Sequence, residues 1–225
     1  MIIGSVSENK NLEKRVSITP DILKKYKALG FDVHLSKDYG SHLGISDHNY
    51  EAEGAIIFES EDEILLNSNA ILQMNILSDD KLQKMKSDQI LIGVLNPYLN
   101  EKKLKDITSK NISCFSLELL PRITRAQSMD ILSSQANLAG YKAVVDSFAY
   151  FQKAIPMMMT AAGTISAAKV LVVGAGVAGL QAIATAKRLG AIVFATDVRL
   201  ASKEQVESLG GKFLTVEGSE NLETE

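Results

Sequence analysis

Short apolar runs alternate with longer amphipathic stretches through the first 120 residues. The first amphipathic stretch predicts a helix, because Thr19 suits an N-cap, Pro20 suits the first turn and Gly30 suits the end. Strands that alternate with helices are typical of a parallel sheet with right-handed crossovers. The runs are rich in Ile, Val and Leu, as buried strands are, and they lie at residues 2–6, 31–35, 55–58, 70–75, 90–95 and 112–115.

A second strand–helix–strand pattern lies at residues 169–197. An apolar run at 169–173 leads into the loop Gly174-Ala175-Gly176-Val177-Ala178-Gly179, and a second run at 191–195 leads to Asp197. A GxGxxG loop that follows a strand, opens a helix and is followed by an acid is the dinucleotide-binding fingerprint. The pattern predicts a Rossmann-type unit.

The rest of this second unit is short. A helix near residues 203–209 and a strand at 211–216 precede a polar end at 217–225. Because a doubly wound sheet normally has six strands and only about three are visible, we expect an incomplete domain. The sequence therefore predicts two α/β domains with parallel sheets, the second a truncated Rossmann-type domain.

Residues 128–152 contain good helix formers at helical spacing and predict one or two connecting helices, with Gly140 as a weak point. We place the first domain at residues 1–135, including the start of this connection, and the second at 136–225. Enzymes with two such domains usually bind their ligand in the cleft between them.

Each residue of the fingerprint has an expected task. Gly174 permits the tight turn, Gly176 lets the backbone approach a pyrophosphate, and Gly179 allows close packing of helix on strand. Asp197 can accept hydrogen bonds from the ribose hydroxyls and would repel a 2′-phosphate, which favours NAD over NADP. Arg199 could pair with a 2′-phosphate if Asp197 turned aside. The alternative is a glycine-rich turn that binds no ligand.

Composition narrows the class of protein. A net charge of −3 and a pI near 5.7 argue against nucleic acid as a partner. The single cysteine, Cys114, excludes an internal disulfide framework, suits a reducing compartment and is expected to be a packed thiol. Lys169 and several glycines interrupt the most membrane-like stretch, 155–180, so we expect no spanning helix there. Met157, Met158 and Met159 favour adaptable packing over a metal site, and no metal is expected.

A polar motif before the connecting helix carries a family resemblance. Residues 121–130 read Pro-Arg-Ile-Thr-Arg-Ala-Gln-Ser-Met-Asp, and residues 133–141 continue Ser-Ser-Gln-Ala-Asn-Leu-Ala-Gly-Tyr. This motif, together with residues 15–20 and 172–199, closely resembles the alpha subunit of proton-translocating nicotinamide nucleotide transhydrogenases. The resemblance runs over the whole chain, although the family's NAD-binding component continues beyond residue 225.

The resemblance implies a set of cofactor-binding residues. Those expected around the nicotinamide and its ribose are Arg122, Gln127, Asp130 and Ser133, with Ile123, Thr124 and Arg125 lining the same cleft. Those expected to hold the adenosine half are Val177, Asp197, Val198 and Arg199. From the residues alone, the cluster from Arg122 to Ser133 could instead be a helix cap with surface polar groups, or Arg122 and Asp130 could simply pair.

The resemblance also implies an activity, that of a Re/Si-specific NAD(P)⁺ transhydrogenase. NADH would pass a hydride to NADP⁺ on a partner subunit or domain near Gln127, with Gln127 and Asp130 positioning the donor ring rather than acting as acid or base. Proton translocation would belong to membrane subunits outside this chain. The chain would lie in the cytoplasm, peripherally on the inner face of the cell membrane, as a homodimer. A mobile loop that closes over the nucleotide in the family would lie past residue 225.

Two other functions stay open. Alanine dehydrogenase shares both folds but needs an acid or base at the reacting carbon, and the stretches 72–75 and 95–100 contain neither Lys nor His. Gln73 stands where transhydrogenases often carry Lys, and for Arg15 a structural role is favoured over a substrate anchor. The three histidines, His34, His42 and His48, are expected to face solvent or cap helices. A nucleotide-binding module without turnover is the third possibility.

Overall fold

The computed structural model describes residues 1–215, and its first six strands form one parallel sheet. Their order across the sheet is β3-β2-β1-β4-β5-β6. The sequence prediction is confirmed for all six strands, with ends that differ by at most one residue. Neighbouring connections leave in opposite directions between β1 and β4, which creates a crevice at the carboxyl ends of these strands. The strands are β1 (Ile2–Ser5), β2 (Asp32–Ser36), β3 (Ala55–Phe58), β4 (Ala70–Asn75), β5 (Ile90–Val94) and β6 (Ser113–Ser116).

The helices of this first unit are short, and three 3₁₀ turns accompany them. The first helix begins after Thr19 as predicted, although the Thr19 side chain makes no capping hydrogen bond. Pro20 therefore supports the start through its fixed φ angle. The helices are α1 (Pro20–Ala28), α2 (Asp47–Ala52), α3 (Glu61–Asn67), α4 (Asp79–Lys84) and α5 (Glu101–Thr108), and the 3₁₀ turns are Ser41–Leu43, Leu117–Leu119 and Thr124–Met129.

Two apolar clusters cover the six-stranded sheet. Ile71 belongs to one cluster and its neighbour Leu72 packs against the other. Because successive strand residues point to opposite faces, the clusters lie on the two sides of the sheet. Cys114 packs partly buried against the first cluster, and this burial raises the pKa of its thiol.

The second unit contains a three-stranded parallel sheet in the order β11-β10-β9. An antiparallel hairpin, β7–β8, was not predicted. The strand expected at 211–216 is only two residues long in the described chain, while Val216 and the polar end at 217–225 lie outside the described residues. The elements are α6 (Ile131–Tyr150), β7 (Met158–Thr160), β8 (Gly163–Ile165), β9 (Lys169–Val173), α7 (Val177–Arg188), β10 (Ile192–Thr196), α8 (Ser202–Ser208) and β11 (Lys212–Phe213).

The connecting segment is one continuous helix, α6, so the expected weak point at Gly140 was wrong. A Cβ at Gly140 would lie 2.1 Å from the carbonyl oxygen of Ala178. The glycine is there because α6 and α7 pack in close contact, not because the helix breaks. The two compact units are Met1–Met129 and Asp130–Glu225, so the boundary along the chain falls just before α6 begins.

Two further expectations need correction. His34 is only 7 % exposed, because β2 lies inside the sheet, and its ring centroid is 4.8 Å from that of Phe58. Burial lowers the pKa of His34. His42 and His48 are exposed as expected. The run Met157, Met158 and Met159 is exposed rather than packed. Among residues 1–215, no helix is both long and apolar enough to cross a membrane.

Candidate functional site

The glycine-rich loop joins β9 to α7, and its three glycines have the conformations that the fingerprint requires. Gly174 has φ +97°, in the left-handed region that favours glycine, and its N–H donates to Thr196 O at 2.8 Å. A Cβ at Gly179 would lie 1.8 Å from Gly174 O, so the helix packs directly on the turn. A Cβ at Gly176 would meet no atom within 4 Å. The loop is therefore tight at its ends and open at Gly176.

Asp197 follows the last residue of β10 and reaches the glycine loop. Its Oδ2 accepts a hydrogen bond from Ala175 N–H at 2.6 Å, and its Oδ1 accepts from Arg199 N–H at 2.8 Å. The Asp197 side chain is 6 % exposed. The Arg199 guanidinium, 3.1 Å away through Nε, holds the pKa of the Asp197 carboxyl well below its usual range. A fixed negative charge thus stands beside the loop, and Arg199 is paired with it.

The segment from Arg122 to Ser133 contains a 3₁₀ turn and the start of α6. Asp130 is the N-cap of α6: its Oδ1 accepts from Ser133 N–H at 2.9 Å, and its Oδ2 accepts from Ser133 Oγ at 2.7 Å. The capping role considered from the sequence is therefore present for these two residues. The side chains left exposed in this segment include Arg122, Ile123, Thr124, Arg125 and Gln127.

Part of the expected site comes together within the second unit. Gly140 of α6 contacts Ala178, which is the second residue of α7. Ser133 precedes Gly140 by seven residues, which corresponds to roughly 10 Å along the helix axis. The capped start of α6 and the fingerprint loop are thus linked through one helix–helix contact. Arg122 to Met129 belong to the first unit.

The first unit contains a polar cavity that was not predicted. It has a volume of about 680 Å³ and lies past the carboxyl ends of β1 and β4, where the strand order reverses. Its lining includes Glu8, whose Oε1 accepts from Met74 N–H at 2.7 Å. Burial raises the pKa of Glu8. The signal in the sequence was the set of polar residues directly after these two strands, including Ser7, Glu8, Asn9 and Asn75.

Gln73 and Arg15, which were uncertain from the sequence, make local contacts. Gln73 is 4 % exposed; its Oε1 accepts from Ser5 Oγ at 2.8 Å and from Val6 N–H at 3.0 Å, and its Nε2 donates to Val6 O at 3.1 Å. Arg15 donates to both carboxylate oxygens of Glu13 at 2.8 and 2.6 Å, and this lowers the pKa of Glu13 to about 2. Both contacts stabilise the end of β1 and the loop that follows it.

The loop of the second unit fits a dinucleotide. The open side of Gly176 leaves room for a pyrophosphate, and the first amides of α7 carry the positive end of a helix dipole. Asp197 offers carboxylate oxygens to a ribose. For metals, the described residues contain no group of three His, Cys, Asp or Glu side chains that could hold an ion.

Comparisons with known proteins agree with this geometry. Residues 4–139 match the family model "Alanine dehydrogenase/PNT, N-terminal domain", and residues 143–225 match "Alanine dehydrogenase/PNT, C-terminal domain". Among solved structures, the crystal structure of transhydrogenase from Sinorhizobium meliloti superposes with a TM-score of 0.91 at 47 % identity, covering 96 % of this chain and 64 % of that one.

Two curated relatives are similar along nearly the whole chain. An NAD(P) transhydrogenase subunit alpha of Rickettsia prowazekii is 48 % identical over 229 residues, which is 100 % of this chain and 60 % of the relative. Its counterpart in Rhodospirillum rubrum is 48 % identical over 222 residues, 96 % of this chain and 58 % of the relative. The chain thus spans less than two thirds of these relatives. It belongs to the alanine dehydrogenase/PNT family.

Proposed function

We propose that this chain is the NAD(H)-binding component of a proton-translocating nicotinamide nucleotide transhydrogenase. The observation that carries the proposal is the ionised Asp197 carboxylate held against the open Gly174–Gly179 loop. This arrangement suits a ribose with free hydroxyls better than one with a 2′-phosphate, because like charges repel. Family membership and the names of the relatives, which are transhydrogenase alpha subunits, support the same assignment.

The residues of the chain have binding and positioning roles in this proposal. The loop amides and the start of α7 hold the pyrophosphate, and Asp197 accepts hydrogen bonds from the adenosine ribose, with Val177, Val198 and Arg199 beside it. The residues assigned to the nicotinamide half are Arg122, Ile123, Thr124, Arg125, Gln127, Asp130 and Ser133.

Gln127 and Asp130 orient the donor ring without acid or base chemistry. When bound, NADH supplies the hydride that NADP⁺ on a partner protein accepts. This transfer needs two rings at near-attack distance and no proton donor at the carbon. The side chains at Gln127 and Asp130 thus have to fix an orientation and keep it dry.

The proposal includes partners. The NADP⁺ lies on a separate domain or beta subunit, and membrane subunits carry the proton, so this chain sits peripherally on the cytoplasmic face of the membrane. A homodimer is part of the proposal too. The β7–β8 hairpin supports it, because a two-stranded sheet with exposed Met158, Met159 and Ile165 is marginal in water without a covering surface. Sedimentation velocity measures the mass.

A second candidate is an amino-acid oxidoreductase of the alanine dehydrogenase type. The polar cavity of the first unit favours it, since Glu8 has a raised pKa there and Lys81 and Lys103 also line the space. Lys81 pairs with Glu61 at 2.7 Å and Lys103 with Asp79 at 2.9 Å. These pairs hold both lysines in ion pairs rather than leaving them as a proton donor. A nucleotide-binding module without turnover is the third candidate.

One experiment ranks the three candidates. The chain is mixed with NADH, an NADP⁺ analogue and a purified NADP-binding partner protein of a transhydrogenase, and hydride exchange is followed by absorbance. Exchange that depends on the partner supports the transhydrogenase. NADH consumption with pyruvate and ammonia in the absence of the partner contradicts it and supports the amino-acid oxidoreductase. NADH binding without either reaction supports the module.

A further inference from the structure

The turn after β5 holds two large apolar side chains in solvent. Tyr98 is 88 % exposed and Leu99 is 87 % exposed. The turn itself is well bonded: Leu99 N–H and Asn100 N–H both donate to Asn96 O at 2.9 Å, and Asn100 Nδ2 donates to Leu95 O at 2.9 Å. A bonded turn holds the pair outward instead of letting it fold back onto the protein.

The base of this turn is anchored to the segment that follows β6. Asn96 N–H donates to Glu118 Oε1 at 2.6 Å, and Asn96 has φ +46°, in the left-handed region that few residues other than glycine adopt. Glu118 lies in the 3₁₀ turn directly after β6. Because β5 and β6 are parallel neighbours, both segments leave the same edge of the sheet.

Further apolar side chains are exposed on the segment after β6. Leu119 is 53 % exposed and Ile123 is 54 % exposed. We call Tyr98, Leu99, Leu119 and Ile123 the apolar rim. Single exposed apolar residues are ordinary, but burying one such side chain stabilises a protein by roughly 1.5–3 kcal/mol. Folding of this unit therefore gives no reason for the rim, whereas tyrosine is enriched at the centres of protein interfaces.

We propose that the apolar rim is the surface on which the NADP-binding partner docks, an inference that rests on the proposed function. Hydride transfer requires the two rings at about 3–3.5 Å, so the partner must contact the edge that carries Gln127. The rim is continuous with that edge, because Ile123 lies in the segment assigned to the nicotinamide half. Exposed Arg125 lies two residues beyond Ile123. A partner with an apolar recess bordered by carboxylates would complement this surface.

The test uses the double variant Tyr98→Ser, Leu99→Ser in the full chain. The matched control is Leu29→Ser, since Leu29 is 71 % exposed and follows α1, at the opposite edge of the same sheet. Hydride exchange is measured against increasing concentrations of the NADP-loaded partner protein. The double variant should raise the half-saturating partner concentration by about tenfold or more, as loss of an interface anchor does. The rate at saturation, NADH affinity and thermal stability should match those of the parent chain and of Leu29→Ser.

Other outcomes overturn the proposal. If the parent chain exchanges hydride and the double variant needs the same partner concentration, the rim is not the docking surface, while the proposed function stands. A fall in the saturated rate alone would place the two residues in ring positioning instead. A change in the mass of the isolated chain would assign the rim to a second copy. If the parent chain binds NADH but exchanges no hydride with the partner, both the proposed function and the docking surface fall.

Discussion

The backbone N–H of Ala175 donates a hydrogen bond to the carboxylate of Asp197, with 2.6 Å between N and Oδ2. This contact joins the loop after β9 to the end of β10, two segments that the sequence separates by a helix. It fixes the acid beside the loop with its charge intact. The position that should read the ribose is therefore set by the fold before any nucleotide arrives.

Replacing Asp197 with Asn should weaken NADH binding and reduce the discrimination against NADPH. The amide oxygen can still accept from Ala175 N–H, so the loop should keep its shape, while the charge that a 2′-phosphate meets is gone. Loss of a charged hydrogen bond predicts a drop in NADH affinity of about tenfold or more. Fluorescence titration with NADH and NADPH measures both effects. Asp146→Asn, which breaks the exposed pair with Lys142, is the control and should leave both affinities unchanged.

Replacing Gly176 with Ala should leave the fold intact and weaken NADH binding. A Cβ there meets no protein atom within 4 Å, so only the ligand can clash with it. We expect about tenfold weaker binding or more, with unchanged thermal unfolding. Gly179→Ala should instead lower stability as well, because its Cβ would lie 1.8 Å from Gly174 O. Unchanged NADH affinity in folded Gly176→Ala would show that the loop does not hold the nucleotide.

Replacing Gly140 with Ala should destabilise the second unit. Alanine in a helix normally stabilises by about 1 kcal/mol relative to glycine. Here its Cβ would lie 2.1 Å from Ala178 O, so α6 and α7 would have to separate. We expect a net loss of about 1–3 kcal/mol in the free energy of unfolding, measured by urea denaturation. Asn137→Ala, on an exposed position of the same helix, should not destabilise. A stabilised Gly140→Ala variant would contradict the packing described for these helices.

Two substitutions at Asp130 separate capping from ring positioning. Asp130→Ala removes the N-cap of α6 and should cost about 1 kcal/mol in the free energy of unfolding. Asp130→Asn keeps a good capping oxygen and should change stability by less than about 0.5 kcal/mol. If Asp130 positions the donor ring, Asp130→Asn should nevertheless slow hydride exchange with the partner. An unchanged rate would leave Asp130 with the capping role alone.

Acid should remove the contribution of Glu13 to stability. Its folded pKa, about 2, lies below the usual 4.5, so its carboxylate stabilises the fold above the usual value and loses that effect as the pH falls towards 2. Glu13→Gln should therefore be less stable than the parent by about 1 kcal/mol near neutral pH, and this difference should shrink below about pH 4. Denaturation at several pH values measures it. Glu101→Gln, which breaks an exposed pair with Lys105, is the control.

The strands were predictable because each is a compact apolar run between turn signals. The glycine loop was predictable for a related reason: the task of each of its residues depends on neighbours in the chain. The hairpin β7–β8 escaped prediction because its strands are three residues long and wholly exposed, so no apolar alternation marks them. His34 was misjudged because the position of β2 between β1 and β3 depends on tertiary pairing.

The cavity of the first unit shows the same limit. Glu8, Glu61 and Asn75 line it together, although each comes from a different region of the chain. Only the reversal of strand order between β1 and β4 brings them to one place. A sequence pattern shows that polar residues follow strands, but which strands are neighbours is decided by packing.

The strand β9 has a consequence for how the protein behaves in the tube. Within residues 1–215 it pairs on one side only, with β10, yet its residues are nearly all apolar, and Leu171 and Val173 are 59 % and 79 % exposed. A bare backbone edge of this composition recruits any strand that reaches it. Concentrated samples should therefore scatter light increasingly with time, and titrations are best performed on dilute, freshly filtered protein.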